Sequence, residues 1–261
     1  MDVKHQFKHL LLSDESAAIA RVTLNRPEKL NALDLEVLKE LCLAFETLDV
    51  REDIRVIILD SAGDKAFIAG ADIEQMSRMG PLDFRHYTSF MKRLARLMTS
   101  TEKAIIAAVK GMAFGGGNIV AMNCDFVFAT AGSTFAQQEI EFGILGGIAR
   151  LIYLVGARKA WDIVITGRHV DAAEAERIGL ITKCLPEEQF DEYVLNYAKT
   201  ITGKSDIAVR LAKTTKKVSE KVDLDTAYDY ENELTSLCFD AEDTKRRLGD
   251  FVARRSLKNQ T

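Results

Sequence analysis

The segment Ala104-Ile105-Ile106-Ala107-Ala108-Val109-Lys110-Gly111-Met112-Ala113-Phe114-Gly115-Gly116-Gly117-Asn118-Ile119-Val120-Ala121-Met122 carries the reading of the chain. Its first six residues are a continuous apolar run, as expected of a strand buried on both faces. Its last four read as the first turn of a buried helix. Glycines at such a junction let the backbone approach a ligand closely and leave the unpaired N–H groups of the helix start free to face it. With the positive end of the helix dipole, those donors suit an oxygen that carries negative charge. A glycine triplet alone reads more readily as a tight strand-to-helix turn with no ligand, so the surrounding sequence has to decide.

Outward from this segment, strand and helix patterns alternate. Residues 18–24 read as a strand closed by Asn25-Arg26-Pro27. Asp34 fits an N-cap for a helix whose apolar face is Leu35, Leu38, Leu41, Phe45 and Leu48. Residues 55–60 read as a second buried strand, and 66–73 as a short strand running into another glycine-containing loop. Helical spacing occupies 84–98. Beyond the glycines, 125–129 and 134–136 read as strands, and 150–155 and 157–165 as helices. From Ala172 onward nearly everything reads as helix: 172–178, 187–200, 207–218, 224–237 and 241–254. The pattern predicts a largely parallel α/β sheet with helical crossovers, followed by a helical C-terminal part. The division is set at residues 1–200 and 201–261, with the change between Pro186 and Thr202.

Composition narrows the function classes. Among 261 residues, 47% are hydrophobic and 28% charged, with a formal net charge of −4. Acids and bases are mixed, so no basic block points to nucleic acid. No apolar run approaches a membrane span, and no signal-peptide pattern opens the chain. Cys42, Cys124, Cys184 and Cys238 are widely spaced without a CxxC, the pattern of free, buried thiols in a reducing compartment. The expectation is a cytoplasmic enzyme with neither membrane nor nucleic-acid partner. No ligand cluster has metal-site spacing.

The loops Ala69-Gly70-Ala71-Asp72 and Gly115-Gly116-Gly117 each lie between a strand and a helix. Two backbone N–H groups converging on one oxygen form an oxyanion hole, which acts where charge develops on an acyl carbonyl. No Gly-Lys-Ser/Thr follows the glycines, and GxGxxG is absent, so neither a Walker loop nor a dinucleotide fingerprint is present. Glu139, after Phe135-Ala136-Gln137-Gln138, reads from its own surroundings either as a surface residue beside Glu141 or as a site carboxylate. Asp125 and Gln137 read as structural hydrogen-bonding groups, His86 and His169 as ordinary polar residues, and Tyr153 and Trp161 as core.

On these segments the chain resembles the enoyl-CoA hydratase/isomerase (crotonase) family over nearly its whole length. Asn25-Arg26-Pro27 with Leu30-Asn31-Ala32-Leu33 is similar to the family's first CoA-contacting loop, and 66–73 to its first oxyanion loop. Residues 111–125 match the second oxyanion loop, 135–139 the segment with a catalytic glutamate, and Thr166-Gly167-Arg168 with 172–180 the segment that follows. The resemblance implies a crotonase-like spiral of ββα units. It implies a helical C-terminal part used in trimerisation, with homotrimers or homohexamers as the assembly. A C-terminal part packing only on its own core fits the same amphipathic pattern.

For the site, the resemblance implies an acyl-CoA substrate whose thioester oxygen is held by the N–H groups of Ala71 and Gly116, with Glu139 as catalytic carboxylate. Leu30, Ala32, Ala69, Asp72 and Ile73 would line the adenine and pantetheine path. Coenzyme A enters as part of the thioester, and no further cofactor is implied. Two departures stand out. Family hydratases carry a first glutamate two residues after the glycine triplet, where this chain has Ile119. The segment 143–151 is shorter than its family counterpart and lacks its proline and Thr-Gln. Glu74 also stands where the family often has lysine.

One retained glutamate is the pattern of family isomerases, which move a single proton along an enoyl-CoA. Hydration or dehydration of a cyclic or conjugated enoyl-CoA is the second reading. A catalytically silent, CoA-binding member is the third.

Overall fold

The structure is a computed structural model and describes residues 7–258. The chain divides into two compact units, Met1–Lys199 and Thr200–Thr261.

The first unit is wound from repeated strand–strand–helix turns. An antiparallel hairpin of β1 (Leu10–Ser16) and β2 (Ile19–Leu24) leads into α1 (Leu35–Asp49). Asp34 caps that helix as expected, its carboxylate accepting from the Val37 N–H at 2.8 Å. Next come β3 (Val56–Ser61), β4 (Ala66–Ile68), the short α2 (Ile73–Met76) and α3 (Pro81–Ser100). A third turn is β5 (Ala104–Val109), β6 (Met112–Phe114) and α4 (Gly116–Met122). The fourth is β7 (Phe126–Thr130), β8 (Thr134–Ala136) and a 3-10 turn over Gln138–Phe142, followed by α5 (Ile148–Val155) and α6 (Ala157–Thr166). The unit ends with β9 (Val170–Asp171), α7 (Ala172–Arg177), β10 (Lys183–Leu185) and most of α8 (Glu187–Thr202).

Two sheets result. The larger runs β1-β2-β3-β5-β7-β10 and the smaller β4-β6-β8-β9. From β2 to β10 the larger sheet is parallel, with Ile58 paired to Ile106 and Ala107 to Val127. In the smaller sheet β4, β6 and β8 are parallel and β9 closes antiparallel. Every residue of β5 is buried, which is why its sequence is apolar without alternation. The core lies between the sheets and α1 and α3, where Phe45, Leu48, Leu94 and Met98 are each almost fully buried.

Several expectations need correction. The glycine turn does not follow the 104–109 strand directly. A short strand in the other sheet, β6, intervenes, and the helix already begins at Gly116. The stretch after Ala172 is not all helix, since β10 extends the larger sheet by pairing with β7. Tyr153 and Trp161 are not core residues but are 68% and 60% exposed, because α5 buries Leu151 and α6 buries Ala160, Ile163 and Val164 instead. All four cysteines are free, yet only Cys42 and Cys124 are fully buried.

In the second unit, α9 (Asp206–Ser219), α10 (Leu224–Asp240) and α11 (Glu242–Lys258) follow the end of α8. Asp223 caps α10 through the Thr226 N–H. Leu237, Phe239 and Phe251 stay exposed. Among the described residues, no helix is long and apolar enough to cross a membrane.

Candidate active site

Ligand sites in parallel sheets form outside the carboxyl ends of the strands. Here the ends of three neighbouring strands of the smaller sheet converge. β4 runs into Ala69-Gly70-Ala71-Asp72, β6 into Gly115-Gly116-Gly117, and β8 into Gln137-Gln138-Glu139. Between them lies a cavity of about 370 Å³, lined by Ala71, Gly116, Ile119 and Glu139 and closed on another side by Tyr87 and Met91 of α3. That volume falls in the range of small-molecule sites.

The two N–H groups named from sequence are presented by distinct devices. Leu33 bridges to Ala71 as a parallel pair, in which Leu33 donates to the Gly70 carbonyl at 2.8 Å and accepts from the Asp72 N–H at 2.9 Å. Strand alternation therefore turns the N–H of Ala71 itself away from Leu33. Gly116 is the first residue of α4, where an N–H has no intrahelical acceptor. Gly115 has φ 48° and ψ −116°, a left-side conformation that only glycine adopts readily. A β-carbon on Gly116 would stand 3.9 Å from the Ala71 nitrogen, so the two groups are neighbours. Such a pair can hold one oxyanion.

The first of these loops is pinned by a shielded ion triad. Arg26 reaches Asp34 and Asp72, each at 3.1 Å, with all three side chains 11–12% exposed. Burial works against ionisation of Asp72. The Gln75 N–H and the Arg26 guanidinium outweigh it and hold the carboxyl below its ordinary range.

Glu139 is the one carboxylate among the described residues lining the cavity. Burial raises its pKa, while its own backbone and the Gln137 amide pull it back in part. Gln137 Nε2 donates to both carboxylate oxygens, at 3.0 and 2.9 Å. Glu141 lies off the cavity and is exposed. The Tyr87 hydroxyl donates to the Leu33 carbonyl at 3.2 Å, and burial pushes its pKa up, so the phenol stays neutral.

Of the residues expected along the CoA path, Ala69 and Ile73 line the cavity, and Leu30 lines a separate hollow of about 210 Å³ beside Lys65. Ala32 is half-buried and gives its carbonyl to Arg26 at 3.1 Å. The Asp72 side chain is taken up by Arg26 and by capping α2. Glu74 is flanked by Lys29 and Arg78. Asp125 accepts from the Ile105 N–H, a structural role as expected. Most of the α3 wall was not singled out from sequence, Tyr87 and Lys92 among it. Residues 84, 87, 88, 91, 92 and 95 form one stripe of that helix, so helical periodicity carried the signal. Among the described residues, no group of His, Cys, Asp or Glu is arranged to hold a metal ion.

Comparison with known proteins agrees with this geometry. The sequence model of the family described as enoyl-CoA hydratase/isomerase matches residues 14–260. A short-chain-enoyl-CoA hydratase of Clostridium acetobutylicum is 34% identical over 251 residues, 95% of this chain and 96% of that protein. A crotonyl-CoA hydratase of Syntrophomonas wolfei is also 34% identical, over 95% of this chain and 96% of its own. The crystal structure of an enoyl-CoA hydratase from Bacillus anthracis superposes with a TM-score of 0.92 at 29% identity, covering 95% of this chain and 97% of that one. A ββα spiral, two glycine loops and one glutamate at three adjacent strand ends thus go with a family match over nearly the whole length, and the chain belongs to the enoyl-CoA hydratase/isomerase family of enzymes.

Proposed function

We propose that this enzyme shifts the double bond of an enoyl-CoA thioester, with Glu139 carrying one proton between the α and γ carbons. The observation behind this reading is the cavity wall, where Ile119 faces the same space as Glu139 and, among the described residues, no second carboxylate does. Glu139 removes a proton from one carbon, the electron pair moves onto the thioester oxygen, and the same proton returns to the other carbon. The product has the mass of the substrate. The N–H groups of Ala71 and Gly116 receive the developing oxyanion, each contributing on the order of 3 kcal/mol. A carboxylate whose pKa is raised by burial suits a group that must both accept and return a proton near neutrality.

Coenzyme A belongs to the substrate in this reading, along the path of Leu30, Ala32, Ala69, Asp72 and Ile73. Assembly as a homotrimer or homohexamer is part of the proposal. It is supported by the exposed apolar side chains of Tyr153, Trp161 and Ile165 in the first unit and of Leu237, Phe239 and Phe251 in the second.

Hydration or dehydration of an enoyl-CoA is the second reading, favoured by the names of the relatives. It requires an activated water without a carboxylate at position 119. Ultraviolet assays with 2-enoyl-, 3-enoyl- and cyclic dienoyl-CoA, with products identified by mass, separate the two. Unchanged mass with a moved double bond supports isomerisation, and gain or loss of one water supports the second reading. Glu139→Gln should lower turnover on the order of a thousandfold while CoA-thioester binding persists. Full turnover in that variant overturns the role of Glu139.

A further inference from the structure

Asn118 is the third residue of α4 and 1% exposed, an unusual place for an amide among Gly117, Val120, Ala121 and Met122. Its Nδ2 donates to Gln137 Oε1 at 3.0 Å. Its Oδ1 has no partner among the described residues. A buried carbonyl without a partner costs free energy that an apolar side chain of similar size would avoid. The donor half of Asn118 is therefore where a reason for this residue must lie.

Gln137 is completely buried, and its two ends are committed to different neighbours. The Oε1 end takes the Asn118 N–H. The Nε2 end donates to both oxygens of Glu139 and, at 3.5 Å, to the Gly115 carbonyl. The segment opposite packs on the pair with no side chains of its own. A β-carbon on Gly147 would lie 2.5 Å from Gln137 Cδ, and one on Gly146 would lie 2.7 Å from Glu139 Oε1. So confined, Gln137 keeps one freedom, a half-turn of its terminal amide. Turned over, its carbonyl would face Glu139. That contact is repulsive to a carboxylate and attractive to a carboxylic acid, whose O–H it would accept.

We propose that Asn118 is a positioning residue, which holds the Gln137 amide with its N–H side toward Glu139 so that the glutamate is received as a carboxylate. This rests on Glu139 being the proton carrier. Without Asn118 the half-turn becomes available, and the protonated glutamate gains an acceptor it lacks in the native arrangement. Among the described residues, the other ionisable groups around Glu139 are Tyr87 and Lys92 across the cavity on α3, the exposed Glu141 on its own turn, and His169, which is hydrogen-bonded to the neighbouring Gln138 and packs on Phe114. Burial raises the Glu139 pKa, and the hydrogen bonds of its own backbone and of Gln137 pull it back in part.

The test uses Asn118→Leu and Asn118→Ala in the full-length enzyme, with near-ultraviolet circular dichroism as the check of folding. The Glu139 carboxyl is titrated by carbon NMR in glutamate-labelled protein, its signal identified by its loss in Glu139→Gln, alongside the pH profile of kcat/KM. Both midpoints are expected to rise by about one pH unit, the size of one hydrogen bond to a charged group. In a Gln137→Leu background the Asn118 substitutions should move them no further. An unchanged carboxyl midpoint in the folded variants, or a shift that persists without Gln137, overturns the proposal. In the unsubstituted enzyme the Asn118 side-chain amide signals should follow the Glu139 titration, and signals that ignore it overturn the proposal even if both variants fail to fold. Full turnover by Glu139→Gln would instead defeat the proton-carrier reading, while the carboxyl titration still judges Asn118.

Discussion

Gly117 and Ile68 meet with no room between them: a β-carbon on Gly117 would lie 2.1 Å from the Ile68 carbonyl oxygen. Helix α4 is thereby seated directly on strand β4, and this seating brings the loop of Ala71 beside the loop of Gly116. Gly117→Ala is expected to cost about 3 kcal/mol, because the clash is with backbone and cannot be relieved by turning a side chain. Urea unfolding measures the loss. Activity should fall further than stability requires, since the two N–H groups are forced apart. A variant of native stability and full activity would show that the contact is not as tight as described.

Arg26→Met removes the shared partner of Asp34 and Asp72. Leaving two shielded carboxylates unpaired should cost about 3 kcal/mol at neutral pH. Asp72 has a folded-state pKa below its ordinary 3.8, so its contribution is present above that value and is lost as pH falls through the folded value. The gap between native protein and variant should therefore narrow on acidification below pH 3.8. A gap of constant size across that range would mean the pairing contributes nothing to stability.

Glu139 has the opposite sign. Its folded pKa is raised above the ordinary 4.5, so the stability it gives as an acid is present below 4.5 and disappears as pH rises through the raised value. Glu139→Gln carries no such liability. Thermal melts should show the variant gaining on the native enzyme between pH 4.5 and neutrality, with a pH-independent difference as the contrary result.

Ile119→Glu places a second carboxylate in the wall shared with Glu139. Hydration of a short 2-enoyl-CoA should rise on the order of a hundredfold. A folded variant with no gain would mean that the missing carboxylate is not what limits water addition.

Much of the site could be read from the sequence because its parts are local. The glycine loops and the Asp34 cap carry their meaning within a few residues, whereas Glu139 was left open by its own surroundings and drew its role from the family resemblance. The α/β alternation was legible because β5 is apolar throughout and β3 is apolar over its first four residues. The strands that escaped notice are those whose pairing supplies the signal. Met112–Phe114 and Lys183–Leu185 are three residues each, too short for periodicity, and Leu10–Ser16 is an edge strand with mostly solvated side chains. Tyr153 and Trp161 look apolar and helical in sequence, and nothing local tells which face of a helix meets the core. The Asn118–Gln137–Glu139 series was hidden for another reason. Asn118 and Gln137 are 19 residues apart on different turns of the spiral, and only the fold sets them side by side.

The winding has a consequence for how such an enzyme changes its chemistry. The second, third and fourth turns each add one strand to both sheets, and the strand each gives to the smaller sheet ends at the shared cavity: in the Ala71 loop after β4, the Gly116 loop after β6 and the Glu139 segment after β8. The parts are thus built like separate drawers in one cabinet, each opening on the same space but sliding on its own rails. Exchanging a single side chain in one drawer, as at Ile119, leaves the Ala71 and Gly116 N–H groups and Glu139 where they were. A lineage built this way can move from one reaction to another through changes confined to one turn at a time, keeping the rest of the cavity wall in place throughout.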